Sequence, residues 1–244
     1  MPNLKRTARV TGLLYLGLAI AGLIGFLVIR GQLYSADDPA ATLANLIENP
    51  TLAHLGVAAE LGVVLTQALA ALWFFKLFRA ANSVAAGAIA AFGLVNAVAI
   101  LGSAAFLATA LGVSGDAALA PAGDAAATVQ LMYTLSSNFW AAGAIFFGLW
   151  LIPMGYVVVR TKWMPRALGW VLMVGGVGYV VSTFTAAILP DAPAVSDALI
   201  IPATVGEFWM IGYLIFVGVR PSAVRDTIEE LSTVSTARDK EVTS

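Results

Sequence analysis

Six apolar runs of roughly twenty residues or more constrain this chain before any other feature does. They fall near residues 10–29, 54–76, 83–111, 128–158, 167–189 and 199–219, and about 20 apolar residues are what an α-helix needs to cross a bilayer. Inside hydrocarbon every backbone N–H and C=O must find its partner within the protein, so runs of this length are expected to be helical. With 60% hydrophobic and 11% charged residues and a mean hydropathy of +0.89, too few polar side chains remain to coat a soluble globule. The expected fold is all-α: a polytopic membrane protein with six transmembrane helices in a bundle. Residues 1–220 are read as a single six-helix transmembrane domain and 221–244 as a polar cytoplasmic tail.

The first run follows Lys5, Arg6 and Arg9. Spanning Val10 to Ile29, it is longer than the apolar core of a secretory leader, and no small-x-small cleavage site follows, so it is read as a retained span. Short cytoplasmic loops carry an excess of Lys and Arg. With the N-terminus inside, 12 of the 13 basic residues fall on the cytoplasmic side and only Arg30 lies outside. Asp37, Asp38, Glu48, Asp116, Asp124, Asp191 and Asp197 occupy the outer loops. Both termini are therefore expected in the cytoplasm.

Local signals refine this frame. In SADDPAATLANLIENP, Asp38 can cap a helix with Pro39 at its first position, and Leu43, Leu46 and Ile47 then share a face. The expectation is a short interfacial helix in the first outer loop. Pro153, within GLWLIPMGY, predicts a kink or an early end of the fourth span. The glycines of AGLIG, FGLVNA and GGVGYVVS suit close helix packing. The aromatics of LWFFKLF and TKWMPRALGW, beside Lys and Arg, read as interface anchors.

Several chemistries are excluded or disfavoured. Without cysteine there is no disulfide framework, thiolate metal site or cysteine nucleophile. A single histidine, His54, excludes multi-histidine metal sites and bis-histidine haem within one subunit. No metal site and no cofactor is expected. A net charge of −1 without basic runs implies no nucleic-acid partner. No internal repeat is evident, so the inverted-repeat signature of many transporters is missing.

Polar residues within the spans are the candidates for function, because an ionised side chain in hydrocarbon is costly and faces the bundle interior. Glu60 lies six residues after His54, roughly 9 Å along the second helix, and Gln67 follows on the same face. Glu207 sits at similar depth in the sixth span. Asn138 in the fourth has Thr134 one turn above it, with Tyr133 and Ser137 on a neighbouring stripe. Asn96 lies near the middle of the third span with Ser103 two turns away. The candidate ligand-binding set is Glu60, Glu207, Asn138, Gln67, Asn96, Thr134, Tyr133, Trp140 and Trp209, with no catalytic or metal-binding residue assigned. The competing reading is a structural hydrogen-bond network with protonated glutamates. His54, about 120° around the helix from Glu60, reads as an interfacial histidine, with a proton-relay role as the alternative.

The opening RTARVTGLLYLGLAIAG, the Glu60-bearing span, GLWLIPMGYVVVRTKWMPRALGWVLMVGGVGY and the ending GEFWMIGYLIFVGVR together resemble a bacterial integral membrane family, domain of unknown function 4386. The resemblance covers roughly residues 5–220. It implies a bacterial plasma (inner) membrane protein and assigns no activity, substrate or catalytic residue.

Three functional classes follow. The first is binding, and movement, of a small amphiphilic or cationic ligand in an interior polar pocket in the outer half of the membrane. The second is an enzyme using a buried glutamate as acid or base on a lipid-like substrate, although no GxSxG or HExxH motif is present. The third is an accessory or regulatory subunit. Expected partners are membrane lipids, such a ligand, and a second copy or another membrane protein.

Overall fold

The computed structural model describes residues 2–220; the tail expected at 221–244 lies outside the described residues. The elements are α1 (Pro2–Gly22), a π-helical segment (Leu23–Ile29), α2 (Arg30–Leu33), α3 (Pro39–Glu48), α4 (Pro50–Phe78), α5 (Ser83–Gly115), α6 (Ala125–Thr161), α7 (Arg166–Ile188) and α8 (Pro193–Phe216). Among the described residues there is no strand. Six stretches are long and apolar enough to cross a membrane, the first running from Leu4 to Leu33 through α1, the π segment and α2. The fold is thus an all-helical, polytopic membrane fold of six spans.

Three local outcomes differ from the sequence reading or sharpen it. α6 does not end at Pro153 but continues to Thr161. Proline removes a single helical N–H bond, whereas ending a helix in hydrocarbon would strand several backbone groups. α8 begins at Pro193, six residues before Leu199, with proline in its first turn, where a missing N–H costs nothing. The loop helix forms as expected: Asp38 accepts from the Ala41 N–H at 2.9 Å. Of its apolar residues, Leu46 is buried and Leu43 half-buried, while Ile47 is exposed.

The chain divides into two compact units. Among the described residues, the first comprises 2–13, 71–92 and 147–220. Its core is aromatic: Phe74 meets Phe78 and Trp150 with ring centroids 6.0 and 5.8 Å apart, and Phe78 meets Trp163 at 6.2 Å. Phe74, Phe78 and Trp163 are buried, whereas Trp170 is exposed. Three of the six aromatics read as interface anchors therefore build a core instead, because helix packing takes up their ring area, while Trp73 and Phe75 are half-buried. α7 and α8 approach backbone to backbone, and a Cβ on Gly175 would lie 2.5 Å from the Ala203 Cα. α8 closes at Gly218, whose φ of 80° lets its N–H bond back to the Tyr213 carbonyl at 2.8 Å.

The second unit comprises Leu14–Ala70 and Gly93–Phe146. Leu33, Leu46, Leu107, Val129 and Tyr133 belong to its apolar core. α3 is fastened to that core by polar contacts as well. Asn45 Nδ2 donates to the Leu33 carbonyl at 3.3 Å, and Gln130 Nε2 donates to the Ser35 and Ala36 carbonyls at 3.1 and 2.6 Å.

Candidate functional site

The second unit holds a buried charged centre built around Arg30, a residue that the sequence reading placed in an outer loop. The first span does not stop at Ile29 but runs on to Leu33, and Arg30 is only 8% exposed. The π segment explains its inward position. Counting from the buried Thr11 at 3.6 residues per turn, an unbroken α-helix would set Arg30 about 100° off the buried stripe. The wider i→i+5 turns of the π segment wind less per residue and bring the side chain inward; the Arg30 N–H closes the last of them on the Gly25 carbonyl. A Cβ added at Gly25 would lie 3.1 Å from Ala59 Cβ, so this glycine lets α4 approach closely one residue before Glu60.

The guanidinium is satisfied from several directions. Arg30 Nη2 donates to the Tyr133 carbonyl and to Ser137 Oγ, both at 2.8 Å, and Nη1 donates to Ser136 Oγ at 3.2 Å. Phe26, Tyr34 and Tyr133 surround it with ring centroids 5.3, 5.7 and 5.5 Å away, favourable cation–π distances. The Tyr34 and Tyr133 rings are themselves stacked at 5.1 Å. Glu60 supplies the compensating charge, its Oε1 lying 3.9 Å from Arg30 Nη1. The same oxygen accepts from Trp140 Nε1 at 3.0 Å.

The remaining carboxylate oxygen stands out. Glu60 is 3% exposed, and its Oε2 is buried without a hydrogen-bond partner. Behind it, Ser103 and Ser136 share a hydrogen bond of 2.6 Å. Two turns along α4, Gln67 is completely buried with neither amide atom bonded, and Asn96 is buried on α5 with its Oδ1 against Gly143.

Of the nine candidates, Glu60, Tyr133 and Trp140 therefore meet in one centre, with Gln67 and Asn96 buried in the same unit. Asn138 and Thr134 are corrected: they share a face of α6, as their spacing requires, but that face is exposed, and Thr134 Oγ1 bonds to its own helix at the Gln130 carbonyl, 2.9 Å away. Glu207 and Trp209 belong to the first unit, where Glu207 is half-buried near Tyr179 and Trp209 is 39% exposed. Arg30, Ser136, Phe26 and Tyr34 are the members that sequence reasoning missed. Arg30 gave no signal of its own, because its inward position depends on the π segment.

Space near the centre is limited. The cavity lined by Arg30, Tyr133, Leu33 and Gly56 is about 10 Å³, room for about one water. An amphiphile cannot lie wholly inside it. A groove of about 810 Å³ lies against it, lined by Ile47, Pro50, His54, Leu61 and Ala108 among others. Cavity and groove share Leu46, Val57 and Leu111 as a common wall. His54 is exposed there, a placement that fits the interfacial reading.

The family model described as Domain of unknown function (DUF4386) matches residues 10–218. No curated protein matches the chain, and no solved structure does. The matched segment takes in the first span from residue 10, the other five spans and the Arg30–Glu60 centre, and the chain belongs to the DUF4386 family.

Proposed function

We propose that this membrane protein binds a small amphiphile, with its head directed to the Arg30–Glu60 centre and its apolar body in the groove between α3, α4 and α5. The observation that carries the reading is Glu60 Oε2, a buried carboxylate oxygen that accepts no hydrogen bond while the neighbouring Ser103 hydroxyl is engaged with Ser136. Leaving such a group bare costs about 1–3 kcal/mol or more, and a ligand hydroxyl would supply what is missing. Arg30, 3.9 Å from the carboxylate, favours a neutral hydroxyl-bearing head over a cationic one, because it would repel a second positive charge. The apolar partition of Leu46, Val57 and Leu111 is what such a ligand would have to displace. The distribution of Lys and Arg supports placing the groove in the outer half of the membrane.

The test is native mass spectrometry of the protein extracted in mild detergent, with lipid analysis of whatever is retained. The wild type is expected to carry a bound amphiphile. Glu60→Gln, which can replace the acceptor by a donor, and Leu111→Trp, which fills the groove, are expected to lose it. Leu65→Trp, on an exposed face of α4, is expected to keep it. Equal retention by all four proteins, or none by the wild type, overturns the reading.

A further inference from the structure

We propose that the chain forms a two-fold dimer through the exposed face of α6 centred on Asn138. Three observations converge on this residue. It is about ten residues from the start of its apolar run near Thr128, hence roughly 15 Å into a hydrocarbon core of about 30 Å. It is exposed in the single chain. Its amide makes no hydrogen bond to any described residue.

An exposed amide at mid-membrane has nothing in lipid to bond to, and polar side chains there act as adhesive between helices. Thr134 does not share this need, because its hydroxyl is satisfied by its own helix. The surroundings permit close approach: Thr134, Ala141 and Ala142 are small, exposed, and lie one turn from Asn138 on either side. A second copy is the occupant that the chemistry selects. An asparagine amide carries a donor and an acceptor, so the same side chain from a two-fold-related molecule satisfies both at once, donating to and accepting from the partner's Asn138. That reciprocity is the defining property of an isologous interface. α6 also supplies Ser136, Ser137 and the Tyr133 carbonyl to Arg30, so the dimer face and the charged centre are built on one helix.

The chain contains no cysteine, which makes cross-linking clean. With Asn138 intact, Ala142→Cys is expected to give a covalent dimer on oxidation in native membranes, while Leu65→Cys on the exposed face of α4 is expected to stay monomeric. Single-molecule photobleaching of labelled protein diluted into liposomes supplies the energetic readout. Asn138→Leu should weaken association roughly tenfold, the scale of a lost pair of interhelical hydrogen bonds, and Asn138→Gln should retain it. Dimer yields no higher for Ala142→Cys than for Leu65→Cys, unchanged association of Asn138→Leu, or cross-linking of Ala142→Cys to a protein of different mass would each overturn the proposal.

Discussion

Replacing Arg30 by methionine is expected to be among the most destabilising single changes available in the second unit. The substitution removes three hydrogen bonds, of 2.8, 2.8 and 3.2 Å, and the ion pair at 3.9 Å. At that separation two unit charges interact by about 4 kcal/mol for an effective dielectric constant of about 20. What remains is Glu60 buried with one hydrogen bond, from Trp140, and no counter-charge. Removing one partner of a buried pair typically costs about 3–5 kcal/mol, and Arg30→Met should fall in that range. Glu60→Gln should cost less, about 2 kcal/mol, because Arg30 keeps its three hydrogen bonds and its aromatic surroundings. The decisive comparison is the double variant. If the charges are coupled, Arg30→Met with Glu60→Gln should be about 2–4 kcal/mol more stable than Arg30→Met alone, because the amide removes the uncompensated buried charge. Denaturation in mixed detergent micelles, followed by circular dichroism, measures all members of the cycle. An Arg30→Met protein within about 0.5 kcal/mol of the wild type, or one that Glu60→Gln fails to improve, would refute the reasoning, since typical surface substitutions cost no more.

Three further outcomes follow from single observations. Gly175→Ala places a Cβ 2.5 Å from the Ala203 backbone and should lower stability by about 1–3 kcal/mol, whereas Gly87→Ala on α5, with open space around it, should raise it by about 0.5–1 kcal/mol; thermal unfolding of the pair separates the two cases. Asp38→Ala should cost about 1 kcal/mol through loss of the cap on Ala41 N–H, visible as faster hydrogen exchange in α3 than elsewhere. Gln67→Met removes an amide whose two polar atoms have no partner, so it should raise the melting temperature; a lower one would mean that the amide is satisfied in the membrane.

The spans were legible because a bilayer sets a length that apolar runs must reach, and α4, α5 and α7 fall within a few residues of their expected bounds. Glu60 and Gln67 were legible for the complementary reason: polar groups inside such runs are expensive and turn inward, and both are buried. Arg30 was misread because an arginine just after an apolar run looks the same whether it anchors at the surface or continues a helix. Its burial depends on a π segment and on Ser136 and Ser137, more than a hundred residues away in sequence. Asn138 and Thr134 failed differently. On a helix that is apolar nearly all round, periodicity cannot distinguish the face toward other helices from the face toward lipid. Of the two outcomes Pro153 allowed, an early end is overturned, since α6 runs on to Thr161.

The most direct test of the charged centre is a solid-state NMR distance measurement in lipid bilayers, with labelled arginine guanidinium and glutamate side-chain carboxyl groups. Through-space transfer between Arg30 Cζ and Glu60 Cδ is expected, and it should vanish in Glu60→Gln. Absence of that transfer in the wild type, with an Arg30 guanidinium exchanging freely with water, would contradict the account and return Arg30 to the membrane surface.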